Sequence, residues 1–321
     1  MQPLFLLSLP RSGSTLLQRL LATHPDVATA AEPWFLLPLL YATRRQGIVT
    51  EYGQTLAFHA IDQFADHLPG GRQAVDQALA RCATDLYQQA ANGRRYFLDK
   101  TPRYHLVVDQ LFELFPEARF VFLWRNPLAV AASIIETWGQ GRWNLYGYTI
   151  DLEVGLPALV RSFTRHRART LAIRYEDLVQ RPEGELQRLY RHLELDERGD
   201  ALDRLAETTL PGLFGDRAGT ARYRTPSVEP LDKWQKVLAN PLRKAWARRY
   251  LGRIGRERLQ TMGYDQNELL RTLAHTPTTL NGTLSDSMRY LYGCAHNGLE
   301  LRLMKAKFLR PGDRPRLLSH S

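Results

Sequence analysis

Short apolar runs alternate with segments of helical periodicity along most of the chain. Each run is followed by charged or polar sequence. Such runs are typical of strands that are buried on both faces, because helices between them cover the sheet. The pattern predicts an α/β protein with a mostly parallel central sheet flanked by helices. The predicted strands are residues 3–9, 27–30, 95–99, 119–124 and 170–174.

Helical periodicity fills the segments between these runs. After the first run, the leucines within residues 16–21 recur on one helical face. Further helices are predicted near 127–138, where Pro127 stands at a first-turn position, and near 183–194. Residues 35–92 break the alternation with mainly helical sequence. We interpret them as a helical insert that lies over the sheet and walls part of a binding site.

Two regions of the chain are distinguished near residue 265. Residues 1–265 are predicted to form the main domain, which includes the 35–92 insert and a second excursion at 139–168 that is rich in aromatic residues and glycine. Residues 266–321 are predicted to be a C-terminal helical appendage with one helix near 285–308. The end of this appendage is rich in proline and arginine.

The net charge of the chain limits the classes of partner that are expected. The 321 residues carry a formal net charge of +10, which favours a polyanionic cofactor, an anionic membrane or nucleic acid. No nucleic-acid-binding module is recognisable, so nucleic acid is not expected as a partner. A basic helix pair is predicted at 231–263. This pair could contact a membrane or a second subunit, as in a homodimer.

Cysteine content and hydropathy predict where the protein acts. Cys82 and Cys294 are the two cysteines, and they lie far apart in sequence. That usage fits a reducing compartment better than a disulfide scaffold. No secretory signal is visible, and no apolar stretch reaches the length of a transmembrane helix. The sequence therefore predicts a cytoplasmic protein.

A polar turn joins the first apolar run to the first helix, in the stretch LFLLSLPRSGSTLLQRLLATHP at 4–25. A helix N-terminus has unpaired N–H groups and partial positive charge, and a tight turn before it makes an anion cradle. Here a glycine allows close backbone approach, hydroxyl groups add donors and an arginine adds a full charge. The residues predicted to bind a phosphate are Arg11, Ser12, Gly13, Ser14 and Thr15.

The turn departs from the ATP-binding P-loop pattern GxxxxGK[ST]. When Gly13 and Thr15 are aligned to that pattern, Ser14 stands at the lysine position and the basic residue has moved to Arg11. Such a loop suits a nucleotide without magnesium-bridged β- and γ-phosphates. A P-loop-type kinase or nucleotide hydrolase is the alternative, because the run YFLD ends in Asp99 as a magnesium-binding strand would.

Two motifs together resemble sulfotransferases that use 3′-phosphoadenosine 5′-phosphosulfate (PAPS), in the style of the bacterial and tyrosylprotein-type enzymes. The run from Pro10 to Thr15 is similar to their 5′-phosphosulfate loop. Arg125, with Ser133 eight residues later, is similar to their 3′-phosphate site. Arginine suits that site because it can bind a phosphate through two parallel hydrogen bonds. The resemblance implies a P-loop nucleotide-hydrolase-like sulfotransferase fold, PAPS as cofactor and adenosine 3′,5′-bisphosphate as product.

The same resemblance implies three further cofactor-binding residues. Arg222 lies in the basic stretch GTARYRTPSVEPLDKW, which would close over the 3′-phosphate and adenine. Lys233 stands before Trp234 at the end of that stretch. Tyr175, in RYEDLV, looks like part of the family's late strand-to-helix turn, where it would pack near the cofactor.

Sulfuryl transfer needs a base for the acceptor proton and cations for the charge on the sulfuryl group and the leaving phosphate. The base implied by the resemblance is Glu32, in VATAAEPWF after the second run. Lys100, in YFLDKTPRY, resembles the family's leaving-group lysine, and Arg11 would share its role. His105 is the alternative base, although the cytosolic enzymes have their histidine where this chain has Pro102.

These residues predict transfer of the sulfuryl group of PAPS to a hydroxyl or an amine by in-line displacement, with no metal ion required. The resemblance covers the sheet scaffold and leaves out 35–92, 139–168 and 266–321, the regions best suited to choosing an acceptor. The aromatic stretch TWGQGRWNLYGY at 137–148 could line an acceptor pocket or pack in the core. The expected acceptor is a small molecule, a lipid or a carbohydrate.

Overall fold

A five-stranded sheet forms the centre of the molecule. The computed structural model describes residues 1–48, 50–211 and 225–299. The strands are β1 (Gln2–Ser8), β2 (Val27–Thr29), β3 (Tyr96–Asp99), β4 (Arg119–Trp124) and β5 (Thr170–Arg174). They are ordered β2-β3-β1-β4-β5, and all neighbours pair in parallel. The predicted α/β fold with a mostly parallel sheet is confirmed.

Helices connect the strands and cover both faces of the sheet. In chain order they are α1 (Ser14–Ala22), α2 (Leu36–Tyr41), α3 (Gln54–Asp66), α4 (Gly71–Ala91), α5 (Val108–Leu114), α6 (Pro127–Thr137), α7 (Leu156–Arg165), α8 (Tyr175–Gln180), α9 (Pro182–Leu193), α10 (Ala201–Leu205), α11 (Lys233–Val237), α12 (Pro241–Ile254), α13 (Arg256–Thr261), α14 (Gln266–His275) and α15 (Thr283–Gly298). The other helical turns are 3-10 helices at Tyr104–Leu106, Leu145–Tyr148 and Arg167–Arg169, and a π-helix at Ile150–Gly155. The helices predicted near 127–138 and 183–194 correspond to α6 and α9.

Side chains that alternate along the strands build one core on each face. On β1, Leu4 and Leu6 pack with α1, α8 and α9, whereas Phe5 and Leu7 pack with α5, α6 and α7. Successive residues of a strand point to opposite faces, so a strand covered on both sides is apolar throughout. This explains why β1 reads as a continuous apolar run rather than an alternating one.

The basic segment at 231–263 forms three helices, α11, α12 and α13, where the sequence predicted a pair. The side chain of Asn240 accepts a hydrogen bond from the backbone N–H of Arg243 and so begins α12. Gly255 ends α12 with a φ of +82°, a backbone angle that side-chain-bearing residues rarely adopt.

The regions outside the sheet scaffold are also helical. The insert at 35–92 folds as α2, α3 and α4, and α4 contacts β2 and β3. Beyond residue 265, Leu269 and Leu273 of α14 belong to the core shared with α12. The division into two domains at that residue stays a prediction. Within the described residues, no helix has both the length and the apolar character that crossing a membrane requires.

The carboxyl ends of four strands meet at one edge of the sheet. Arg11 follows β1, Glu32 follows β2, Lys100 follows β3 and Arg125 follows β4. Parallel strands bring such residues together, because all of the strands end on the same side. Ligands of open α/β sheets bind at this edge.

Candidate active site

The loop between β1 and α1 has an unusual backbone conformation. Arg11 and Gly13 have positive φ angles of 65° and 89°. The carbonyl of Gly13 accepts hydrogen bonds from the N–H groups of Leu16 and Leu17, at 3.0 and 3.3 Å, and so begins α1. A Cβ at Gly13 would lie 2.3 Å from the ring of Tyr175. Glycine is therefore required here by the backbone angle and by the close ring.

The N-terminus of α1 is suited to an anion. Its first turn, which lies wholly within the described residues, has no acidic side chain, and no side chain caps it. Ser14 and Thr15 line the cavity in front of this terminus, and Ser12 is buried. The unpaired backbone N–H groups and the helix dipole attract negative charge to this point.

The Arg11 side chain crosses from the loop to α6. Its Nε donates to the hydroxyl of Ser133 at 3.2 Å, and its Nη2 donates to the hydroxyl of Thr137 at 3.1 Å. Its guanidinium also lies 5.6 Å from the ring centroid of Trp138. These contacts join the two motifs that the sequence singled out as phosphate-binding.

Arg125 supports the loop from the end of β4. Its Nη1 donates to the backbone carbonyl of Arg11 at 2.8 Å, and its guanidinium stacks 4.4 Å from the ring centroid of Tyr175. Its Nε is buried and has no hydrogen-bond partner among the described residues. A buried guanidinium N–H without an acceptor is costly, so the site fits a negatively charged ligand group beside Arg125.

A carboxylate and an ammonium group meet at the floor of the cavity. Lys100 Nζ lies 2.6 Å from Glu32 Oε1, and the side chains are 2% and 12% exposed. The second carboxylate oxygen, Oε2, accepts a hydrogen bond from Trp34 Nε1 at 3.0 Å. The backbone of Trp34 has a positive φ of 62°, and its N–H donates to Thr101. Glu32 is thus fixed between a cation and an indole N–H.

Gln18 of α1 holds the segment that carries Glu32. Its side-chain amide donates to the hydroxyl of Thr29 at 2.8 Å and to the carbonyl of Ala30 at 2.6 Å. Gln18 is fully buried, so its ends of both hydrogen bonds are shielded from water. Helix α1 therefore connects the loop after β1 to the segment that carries the candidate base Glu32.

Asp99 is placed differently from a magnesium ligand. It is buried, and its carboxylate accepts hydrogen bonds from Tyr87, from Tyr104 at 2.7 Å and from Thr101 at 3.0 Å. Burial raises the pKa of Asp99 to about 6. Because Asp99 is buried against these hydroxyls and does not line the cavity, the structure gives no support to the kinase or hydrolase alternative.

His105, the alternative base, lies behind the cavity wall. Its side chain is buried, and its Nε2 is 3.0 Å from Asp151 Oδ1. A Cβ at Gly155 would come within 2.8 Å of its ring. Asp151 itself lines the cavity, but His105 does not. A substrate in the cavity would therefore meet Glu32 before it met His105.

One cavity of about 330 Å³ brings most of the predicted residues together. Those that line it are Arg11, Gly13, Ser14, Thr15, Glu32, Lys100 and Arg125. Ser133 and Tyr175 lie behind this lining, in contact with Arg11 and Arg125. Lys233 pairs with Glu136 of α6 at 3.4 Å, away from the cavity. Arg222 lies outside the described residues, as does its neighbour Arg224.

Several lining residues were missed by the sequence reasoning. Arg103 and Asp151 line the same cavity, and so does Thr137, which stands one helical turn after Ser133. That spacing was a usable signal, because residues four apart share a helix face. The aromatic stretch at 137–148 contributes both to the wall of the cavity and to the core. Trp138 and Tyr148 line the cavity, whereas Trp143 is buried in the core.

The fold and the loop define a class of protein: a parallel α/β scaffold whose first strand is followed by a tight turn into a helix N-terminus suited to an anion. Residues 3–199 match the family described as the Sulfotransferase family. The chain belongs to this family, as the resemblance of its motifs predicted.

Two curated relatives are similar over different lengths. The chain is 34% identical over 287 residues to nodulation protein NoeE of Sinorhizobium fredii, which covers 82% of this chain and 66% of that protein. It is 32% identical over 149 residues to the omega-hydroxy-beta-dihydromenaquinone-9 sulfotransferase Stf3 of Mycobacterium tuberculosis, which covers 42% of this chain and 36% of that protein. The chain thus spans less than two thirds of the length of each of these relatives.

A solved structure supports the fold. The sulfotransferase domain from the curacin biosynthetic pathway superposes with a TM-score of 0.56 at 22% sequence identity. The match covers 82% of this chain and 98% of that domain. The predicted P-loop-like sulfotransferase fold is therefore confirmed.

Proposed function

We propose that the protein transfers the sulfuryl group of PAPS to an acceptor hydroxyl or amine, with Glu32 as the base. The observation that carries the proposal is the contact between Glu32 and Lys100, 2.6 Å apart on the floor of the cavity. In the proposed reaction this pair would supply a proton acceptor and a charge-stabilising cation beside the N-terminus of α1. Membership of the sulfotransferase family supports the reaction class.

The described residues fit the donor PAPS, which supplies the sulfuryl group on its 5′-phosphate when bound. The N-terminus of α1, with Ser14 and Thr15, would hold the 5′-phosphosulfate. Arg125 would hold the 3′-phosphate, and its buried, unpartnered Nε supports that role. We propose Ser133 and Tyr175 as supports of this site through Arg11 and Arg125. Lys233 and Arg222 stay predictions from the sequence.

The reaction follows from the positions of three side chains. Glu32 would accept the proton of the acceptor hydroxyl while the oxygen of that hydroxyl bonds to sulfur. Protonation removes the charge of Glu32, and this frees the ammonium of Lys100 to stabilise the departing phosphate oxygen. Arg11 adds positive charge on the side of α6. The base that gains a proton and the cation that meets the leaving group are in contact beforehand.

A small molecule, lipid or carbohydrate would supply the acceptor group. The name of Stf3 describes an omega-hydroxylated acceptor, which supports a hydroxyl as the reacting group. The wall beside Glu32 is aromatic, since Trp34, Trp138 and Tyr148 line the cavity. Such a wall suits the apolar face of an acceptor.

The test is Glu32→Gln, which keeps the shape of the side chain and removes its basicity. Transfer of radiolabelled sulfate from PAPS is measured with 1-octanol, 2-naphthol and N-acetylglucosamine as probe acceptors. We expect wild-type transfer to at least one probe and a loss of roughly 10²–10⁴-fold in the variant. Binding of adenosine 3′,5′-bisphosphate should be retained.

The matched control is Glu113→Gln, an exposed carboxylate on α5. It should transfer sulfate at the wild-type rate. Near-normal turnover of the Glu32 variant would remove that residue from the role of base. Absence of both transfer and bisphosphate binding in the wild type would overturn the proposal as a whole.

A further inference from the structure

A second groove adjoins the candidate active site. It encloses about 720 Å³ and shares Arg103, Trp138 and Tyr148 with the active-site cavity. None of the phosphate-loop residues lines it. The groove therefore adjoins the cavity along these three residues, and its lining includes none of the loop residues proposed to hold the donor.

Of the residues that the structure describes, three arginines and no acidic residue line this groove. They are Arg103, Arg142 and Arg289. Arg103 lies 3.5 Å from Asp151, so its charge is partly balanced. For Arg142 and Arg289, the described part of the chain offers no carboxylate within salt-bridge distance. Like charges gathered in one groove repel each other, and an anion from outside the chain would relieve that repulsion.

Buried contacts hold the backbone segments that carry Arg142 and Arg289. Asp286 of α15 accepts a hydrogen bond from the backbone N–H of Trp143, the residue after Arg142, at 3.1 Å. It also pairs with Arg243 at 2.7 Å. Arg289 follows Asp286 by three residues on the same helix. One buried anchor therefore holds together the two segments of the chain that carry these arginines.

An aromatic pair separates the groove from the reacting groups. The rings of Trp138 and Tyr148 stack with centroids 4.8 Å apart and an interplanar angle of 22°. Both residues line both cavities. An acceptor that reaches from Glu32 to the arginines would pass across this flat apolar surface.

We propose that the acceptor carries an anionic group, a phosphate, sulfate or carboxylate, which binds Arg142 and Arg289 while its reacting hydroxyl lies at Glu32. This inference rests on the proposed sulfuryl transfer and adds the chemical class of the acceptor. Guanidinium groups form two parallel hydrogen bonds with each of these anions, and such charge-assisted bonds are stronger than neutral ones.

The test compares four sugars that differ only at carbon 6: glucose, glucuronate, glucose 6-sulfate and glucose 6-phosphate. Dissociation constants are measured by calorimetry with adenosine 3′,5′-bisphosphate at saturation, so that the donor site is filled. We expect at least one acidic sugar to bind about tenfold or more tightly than glucose. The acid that binds best identifies the kind of anion.

The decisive variant is Arg142→Gln combined with Arg289→Gln, with Arg161→Gln on the exposed face of α7 as control. The double variant should lose the preference for acidic sugars, and the control should keep it. No preference in the wild type, or an unchanged preference in the double variant, would overturn the proposal. Failure of the proposed function would be recognised separately, because the wild type would then not bind adenosine 3′,5′-bisphosphate in the same calorimetry.

Discussion

Arg125 is the residue that would distinguish a 3′-phosphorylated nucleotide from an ordinary one. Arg125→Ala should weaken binding of adenosine 3′,5′-bisphosphate by roughly 10–100-fold, the worth of a charge-assisted hydrogen bond. Binding of 5′-AMP should weaken less, because only the support of the Arg11 carbonyl is lost. Calorimetry with the two nucleotides measures the difference. Equal weakening of both would contradict the 3′-phosphate assignment.

Asp99 should make the stability of the fold decrease as the pH rises. Its pKa in the folded state, about 6, exceeds its ordinary value of 3.8 because of burial. Between these values the folded chain binds more protons than the unfolded chain. The contribution of Asp99 to stability is therefore full below about pH 4 and is lost as the pH rises through 6.

Asp99→Asn should remove this dependence. The free energy of unfolding of the wild type relative to the variant should fall by about 2 kcal/mol between pH 4 and pH 7. Denaturant unfolding of both proteins across this range measures the difference. Asp85→Asn, an exposed change on α4, is the control and should show no such trend. A constant difference between wild type and Asp99→Asn would contradict the raised pKa.

The residues at strand ends could be predicted, whereas on the cavity walls the aromatic stretch at 137–148 was suggested but residues such as Asp151 were not. Arg11, Glu32, Lys100 and Arg125 each follow an apolar run, and parallel topology brings such positions to one edge whatever the loops do. Asp151 lies in a π-helix, and its place in the cavity depends on the path of the 139–168 segment. No local pattern encodes that path, because it follows from packing against distant elements.

At the scale of elements, strands were easier to place than the helices of the C-terminal half. Apolar runs such as β4 are bounded on both sides by charge, so their limits are visible in sequence. The segment at 231–263 keeps a helical pattern across Asn240 and Gly255, although each of them ends or begins a helix. Capping by one side chain and one backbone angle is too local for periodicity to reveal.

Helix α15 carries one buried charge, Asp286, on the face that packs against the domain, while its opposite face is exposed. Asp286→Asn should lower the free energy of unfolding by about 3 kcal/mol, because it leaves the buried guanidinium of Arg243 without its counter-charge. Denaturant unfolding measures the loss. Leu284→Gln on the same helix is the control, since that side chain is 77% exposed. It should change stability by less than about 0.5 kcal/mol. Equal effects of the two changes would show that Asp286 does not anchor the helix.

The chain is positively charged as a whole, and basic residues outnumber acidic ones in the lining of its candidate active-site cavity. The chain carries a net charge of +10, and the active-site cavity is lined by Arg11, Lys100, Arg103 and Arg125 against two carboxylates. Of those carboxylates, Glu32 is paired with Lys100, and Asp151 contacts His105 and Arg103. The remaining positive charge should attract a polyanionic nucleotide from a distance and lose that effect at high salt.

The sulfotransferase and kinase interpretations differ in which nucleotide should stabilise the whole molecule. Adenosine 3′,5′-bisphosphate at 100 times its dissociation constant should raise the free energy of unfolding by about 2.7 kcal/mol. Thermal unfolding would register this as an increase of several degrees in Tm. Magnesium ATP at the same concentration should stabilise less, because the loop lacks the P-loop lysine and the carboxylate of Asp99 is buried against tyrosine hydroxyls. Stabilisation by magnesium ATP alone would overturn the donor assignment and return the loop to the kinase class.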